Sequence, residues 1–240
     1  MKASLALLPA TLAVASANTL TISLTTAEID SIKAGHTTNI VSRQSGGLVP
    51  RQSGSTTANE FLDGGCRDLI FIFARGSTQA GNIGDDPGPQ VIAQLKVALG
   101  DTYVAAQGFD YPALLIDNLR NGGCDPADAA DMLALINQAA SECPDSAIAV
   151  SGYSQGAALV HASVEDATTA VKNQIVAAVT FGDTQRQQDG DQIPNFDTGK
   201  TLILCHDGDE VCDGTLIITA AHGGYDDLAP EAVDFIVSKV

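Results

Sequence analysis

Residues 150–157 read VSGYSQGA, a serine with a glycine two positions before it and another two positions after. Glycine occurs 23 times in 240 residues, so a chance Gly-x-Ser-x-Gly is ordinary and the flanking sequence has to decide what Ser154 is. Ahead of it stands AIAVS (147–151), an apolar run of strand length, and behind it QGAALV opens a helical pattern that reaches residue 171. Strand, sharp turn and helix form the setting of a nucleophile elbow. Gly152 and Gly156 then admit the turn and the close approach of the helix, while the serine projects above the sheet. The amino end of that helix favours negative charge developing beside it.

The same alternation extends outward in both directions. LIFIFA (69–74), TYVAA (102–106), IVAAVTF (175–181) and TLILC (201–205) are short and continuously apolar, as strands covered on both faces are. Helical patterns occupy 90–99, 125–141, 155–171 and 229–240. Strand, helix, strand in succession predicts an α/β fold: a five-stranded parallel sheet, right-handed crossovers and helices on both faces. In such a sheet the loops at the carboxyl ends of the strands build the site, and Ser154 lies in one of them.

The chain begins MKASLALLPATLAVASA, a lysine, an apolar run over 5–14 and an Ala-x-Ala ending, which reads as a signal peptide over 1–17. A membrane anchor needs about 20 apolar residues, so no stable membrane association is expected. Residues 18–55 are rich in Thr, Ser and Gly, with a capping box at Thr25 and Glu28 and two copies of RQSG at 43–46 and 51–54. They read as a pro-segment or flexible linker before a single domain at 56–240. The expected product is secreted, extracellular and monomeric. Residues 1–66 balance four basic against four acidic side chains, so the whole formal charge of -17 falls on 67–240. Such a field repels nucleic acid and anionic membranes and points to a neutral substrate.

Five cysteines in a secreted chain read as two bridges and one leftover. Cys205 and Cys212 flank HDGDEV as a local pair, which leaves Cys66, Cys124 and Cys143 with the pairing open. Zinc on Cys205, His206 and Cys212 lacks a second Cys/His pair, so no metal is expected.

A serine hydroxyl needs a base. His36 lies in the leader, His161 seven positions beyond Ser154 reads as a partly buried packing residue, and His206 abuts Cys205. His222 follows the last strand and fits the order Ser, acid, His. The acids between are Asp183, Asp207, Asp209 and Asp213. Asp207 and Asp209 both sit inside the cysteine clamp, and spacing does not choose between them.

FIFARGSTQAGNIG (71–84), GYSQGAA (152–158) and CHDGDEVCDGTLIITAAH (205–222) resemble the signature segments of the fungal cutinase family, secreted serine esterases of minimal α/β-hydrolase fold without a lid domain. The likeness runs from about residue 56 to 240. It implies that the acid is Asp209, three residues before the second cysteine of the clamp. It also implies that Ser77 and the backbone amide of Gln155 form the oxyanion hole, that Cys66 pairs with Cys143, and that Cys124 is free. No cofactor is required by this chemistry. The segment QGFDYPALLIDN (107–118) departs from the family pattern, its Tyr111, Pro112 and Ala113 being similar to the YPA of acetylxylan esterases. Gly223 and Gly224 stand where a bulky apolar residue often follows the histidine. Leu114, Leu115, Leu216 and Ile218 are candidates for an apolar rim. The expectation is a secreted esterase that hydrolyses cutin-type polyesters and short-chain esters through an acyl-enzyme. An acetylxylan or other small-acyl esterase is the second reading. A non-catalytic surface-binding protein is the third, and the retention of Ser154, Asp209, His222 and Ser77 speaks against it.

Overall fold

A computed structural model of the protein describes residues 55–240. The signal peptide, the Thr25 and Glu28 capping box, His36, both RQSG copies and all of the proposed pro-segment except Ser55 lie outside the described residues. Five parallel strands form one sheet: β1 (Leu69–Ala74), β2 (Val104–Gly108), β3 (Ala147–Tyr153), β4 (Ile175–Phe181) and β5 (Thr201–Leu204), in the order β2-β1-β3-β4-β5. The helices are α1 (Glu60–Gly64), α2 (Gly88–Leu99), α3 (Pro126–Glu142), α4 (Gln155–Asp166), α5 (Thr169–Gln174) and α6 (Ala229–Val237).

Every residue of β1 is buried because side chains alternate between two covered faces. Ile70 and Ile72 join Val150, Met132, Ile136 and Leu159 beneath α3 and α4. Leu69, Phe71 and Phe73 join Leu95, Phe181, Val233 and Ile236 beneath α2 and α6. A continuous apolar run in the sequence is therefore two alternating sets, each with its own core.

The chain runs outward from β1 to β2, returns to β3 on the other side of β1, and continues to β4 and β5. The direction reverses between β1 and β3, so the loops leaving these two central strands part and open a crevice at their carboxyl ends. Ser77 follows one of these strands and Ser154 the other. Between β4 and β5, and between β5 and α6, the described residues hold only 3-10 turns, with no inserted helical lid.

The boundaries differ from expectation where local hydrogen bonds intervene. β2 starts at Val104 because Gly100, at φ 106°, accepts the Tyr103 amide and closes a turn over the residues between. The pattern at 155–171 splits in two: Ala167 and Thr168 are extended, and the Thr168 hydroxyl caps α5 by accepting the Val171 amide. The last helix stops at Val237. Helix α1 was not expected. It carries Glu60, which accepts the Ala106 amide at 2.9 Å and pairs with Arg67 and Lys96, covering the free edge of β2.

Cys66 is bonded to Cys143, 77 residues away, and Cys205 to Cys212. By the loop-entropy relation the longer bridge is worth about 4 to 5 kcal/mol. Cys124 is free and buried, and burial followed by nearby Asp128 and Asp125 pushes its thiol up to about 12, which keeps it unreactive.

Candidate active site

Ser154 stands at φ 55° and ψ -117°, a strained conformation for a residue with a Cβ, between the end of β3 and the start of α4. A Cβ on Gly152 would lie 2.2 Å from the Gly156 carbonyl oxygen, and one on Gly156 would lie 2.0 Å from that of Ala74. Both positions thus require glycine, for the turn folds α4 back onto β3 and β1. The Ser154 amide donates to the Phe181 carbonyl at 2.9 Å, which fixes the strained residue to β4.

His222 closes a 3-10 turn after β5 and reaches back to the serine, with Nε2 3.0 Å from Ser154 Oγ. Its Nδ1 lies 2.8 Å from Asp209 Oδ2. Asp209 is 1% exposed and His222 5%. Burial pushes the Asp209 carboxyl up, but the hydrogen bonds from His222, Tyr225 and the Val211 amide outweigh it and hold the group below the usual carboxylate range. The disulfide between Cys205 and Cys212 brackets the segment that presents Asp209. Asp207 and Asp213 are exposed. Asp183 is fully buried but faces His161 at 2.9 Å.

His161 departs from the expected role. It is 2% exposed, and both ring nitrogens are taken, Nε2 by Asp183 and Nδ1 by Asp189 at 2.7 Å. It is a buried cation that ties α4 to the segment after β4, and packing is the lesser part of its role. His206 has Nδ1 against the Ala221 carbonyl and Nε2 against Asp227, both at 2.9 Å, and does not reach the serine.

In the loop after β1, Ser77 Oγ accepts the Asn118 side-chain amide at 2.8 Å. Its loop is braced from below. Arg75 donates to the carbonyls of Gln79 and Tyr111, the Thr78 amide donates to Ala113, and the Tyr111 hydroxyl returns to the Arg75 carbonyl. Tyr111 is therefore a buried strut rather than a surface contact. Gln155 is the first residue of α4, a position whose amide has no acceptor within the helix, and its side chain donates to the Leu114 carbonyl at 2.8 Å. Asn118 was missed in the sequence. It sits in a 3-10 turn (Leu115–Leu119) and acts through a partner 41 residues away, so only its place in the loop at 107–118 hinted at it.

The exposed apolar side chains of these loops are Leu114, Ile116 and Leu119 on one segment and Leu216 and Ile217 on the other. Leu115 and Ile218 of the expected rim are only half-exposed. An imidazole oriented by a carboxylate and facing a hydroxyl can take the hydroxyl proton, which is the chemistry of acyl transfer.

A family model described as Cutinase matches residues 65–240. Cutinase CUT2 of Pyricularia oryzae is 58% identical over 193 residues, covering 80% of this chain and 90% of that protein. Cutinase 1 of Fusarium vanettenii is 42% identical over 199 residues, covering 80% of this chain and 86% of its own. Among solved structures, a Trichoderma reesei cutinase bound to a phosphonate inhibitor aligns with a TM-score of 0.70 at 35% identity, over 77% of this chain and 80% of that one. The catalytic core of a Trichoderma reesei acetyl xylan esterase aligns at 0.61 but at 19% identity, over 73% of this chain and 100% of that one, a likeness of fold alone. The chain belongs to the cutinase family, carboxylic ester hydrolases of minimal α/β-hydrolase fold.

Proposed function

We propose that this chain hydrolyses cutin-type polyesters and short-chain esters through an acyl-enzyme on Ser154. The observation that carries the reading is the chain of contacts from Ser154 Oγ to His222 Nε2 at 3.0 Å and from His222 Nδ1 to Asp209 at 2.8 Å. His222 takes the hydroxyl proton as Ser154 attacks the ester carbonyl. Asp209 fixes the imidazole tautomer and stabilises the imidazolium. The Gln155 amide and Ser77, its hydroxyl held by Asn118, bind the oxygen that becomes negative in the tetrahedral intermediate. His222 then returns the proton to the leaving alcohol; in the second half it takes a proton from a water that attacks the acyl carbonyl and passes it to Ser154 Oγ as the acyl–oxygen bond breaks, releasing the acid.

The exposed apolar side chains at 114–119 and 216–217 favour an acyl chain or polyester surface over an acetylated sugar. The acetylxylan reading rests on Tyr111, Pro112 and Ala113 and on Gly223 and Gly224 in place of a bulky rim residue; Tyr111 is buried and does not itself offer a surface to a substrate. We read residues 1–17 as the signal peptide, 18–55 as a pro-segment and 56–240 as the secreted, monomeric domain, with the two disulfides suited to an oxidising compartment.

The test compares initial rates on acetyl, butyryl and longer p-nitrophenyl esters beside cutin and acetylated xylan. Faster butyryl than acetyl turnover, with release of fatty monomers from cutin, is the expected result. Acetate release from xylan with no activity on cutin overturns the substrate assignment while leaving the triad in place.

A further inference from the structure

Two residues beyond His222 the chain turns at Gly224, in the left-handed region at φ 78°, and carries the Tyr225 side chain into full burial. Asp86 holds this turn, its Oδ2 accepting the amides of Gly224 at 2.9 Å and Tyr225 at 3.2 Å. The phenol oxygen lies 2.6 Å from Asp209 Oδ2 and 3.1 Å from the backbone nitrogen of His206, with the disulfide sulfur of Cys212 farther off at 4.0 Å. An amide N–H only donates, so the phenol accepts there and commits its own proton to Asp209. Oδ2 thus receives both Tyr225 and His222, while the Val211 amide occupies Oδ1 at 3.1 Å.

The ring cannot turn away. It stacks on the His206 imidazole at 4.1 Å, meets Phe181 edge-on at 6.1 Å and leans on Tyr153 at 5.6 Å. Tyr153 itself stacks on His222 at 5.3 Å and donates its hydroxyl to the His222 carbonyl.

We propose that Tyr225 is a positioning residue for ester hydrolysis: its hydroxyl fixes the rotation of the Asp209 carboxylate, draws on its charge, and so sets how strongly Asp209 holds the His222 proton. This rests on reading Ser154, His222 and Asp209 as the triad. The charged and titratable groups that bear on it are Asp209, Asp86 and Asp85, Tyr153, and His206 with its partner Asp227. Burial, then Asp209, push the phenol well above its ordinary pKa, so it keeps the proton it donates. Removing that donor leaves a more basic carboxylate and a more tightly held imidazolium.

Tyr225→Phe keeps the ring and deletes only the hydroxyl. On p-nitrophenyl butyrate, with rates normalised to sites titrated by a fluorophosphonate, kcat is expected to fall about tenfold with KM nearly unchanged. The acidic limb of kcat/KM is expected to move up by about half a pH unit or more. 3-Fluorotyrosine at position 225 keeps the packing and strengthens the donor, so the limb is expected to move down, which also covers a Phe variant that fails to fold. A role confined to packing lowers Tm and the titratable fraction without moving the limb. A limb unmoved in the fluorotyrosine protein overturns the proposal, as does one unmoved in a folded Phe variant. Residual turnover in Ser154→Ala instead breaks the triad reading itself, so the two failures are distinguishable.

Discussion

His222 and His161 are both buried beside carboxylates, yet they are fitted for opposite tasks. His222 has one nitrogen on Asp209 and the other on the Ser154 hydroxyl, a group that can give up a proton. His161 has a carboxylate on each nitrogen, Asp189 at 2.7 Å and Asp183 at 2.9 Å. A neutral imidazole offers a single N–H, so only the imidazolium satisfies both. Burial opposes that charge, but Asp183 and Asp189 outweigh it and push His161 up to about 9. Asp183 is further held by the Thr180 hydroxyl at 2.6 Å and the Gln185 amide at 2.8 Å. The partner of the second nitrogen is therefore what would fit a buried histidine to act as a base. A hydroxyl there leaves room for a proton, and a second carboxylate keeps it filled at neutral pH.

The largest effect expected is on the His222 side. Ser154→Ala removes the group that His222 serves and lowers kcat by a factor on the order of 10⁶, read on a short-chain ester with the fold checked by circular dichroism. Asp209→Asn, which no longer dictates the tautomer, costs about 10⁴ in kcat. On the other side the damage falls on stability. His161→Gln leaves Asp183 and Asp189 facing each other without a cation and lowers unfolding free energy by about 3 kcal/mol in urea melts. The activity of its folded fraction stays within about twofold.

The pH dependence separates the clusters further. His161 has a folded pKa raised above its ordinary value, so its contribution is fully present below about pH 6.5 and is lost as pH rises through about 9. A shift of that size corresponds to about 3 kcal/mol. Urea midpoints should fall over this window in the parent protein, and the fall should flatten in His161→Gln. An equal slope in both proteins would contradict a stabilising cation at His161.

Parallel strands were easy to read because burial on both faces makes them uninterrupted: the runs at 69–74 and 175–181 coincide with β1 and β4. The division of 155–171 was not, since no Gly or Pro marks it and the break depends on a threonine side chain competing for its own backbone. The strand, turn and helix around Ser154 and the place of His222 in the chain order made both candidates, and the structure puts His222 Nε2 3.0 Å from Ser154 Oγ. Asp207 and Asp209 share one clamp and spacing does not choose between them; in the structure Asp209 is the one that meets His222 Nδ1, at 2.8 Å. The role of His161 was hidden because its partners lie 28 and 22 residues away, on segments whose meeting no local pattern reports. Asn118 and Tyr225 escaped for the same reason.

Ser154 is the proposed carrier of the acyl group, and covalent labelling is the sharpest probe of that assignment. The protein is treated with a fluorophosphonate until activity is lost, digested and mapped by mass spectrometry. One adduct per chain, on Ser154 alone and absent from Ser154→Ala, is the predicted result. Stoichiometric loss of activity with the adduct on Ser77 or any other residue would contradict it.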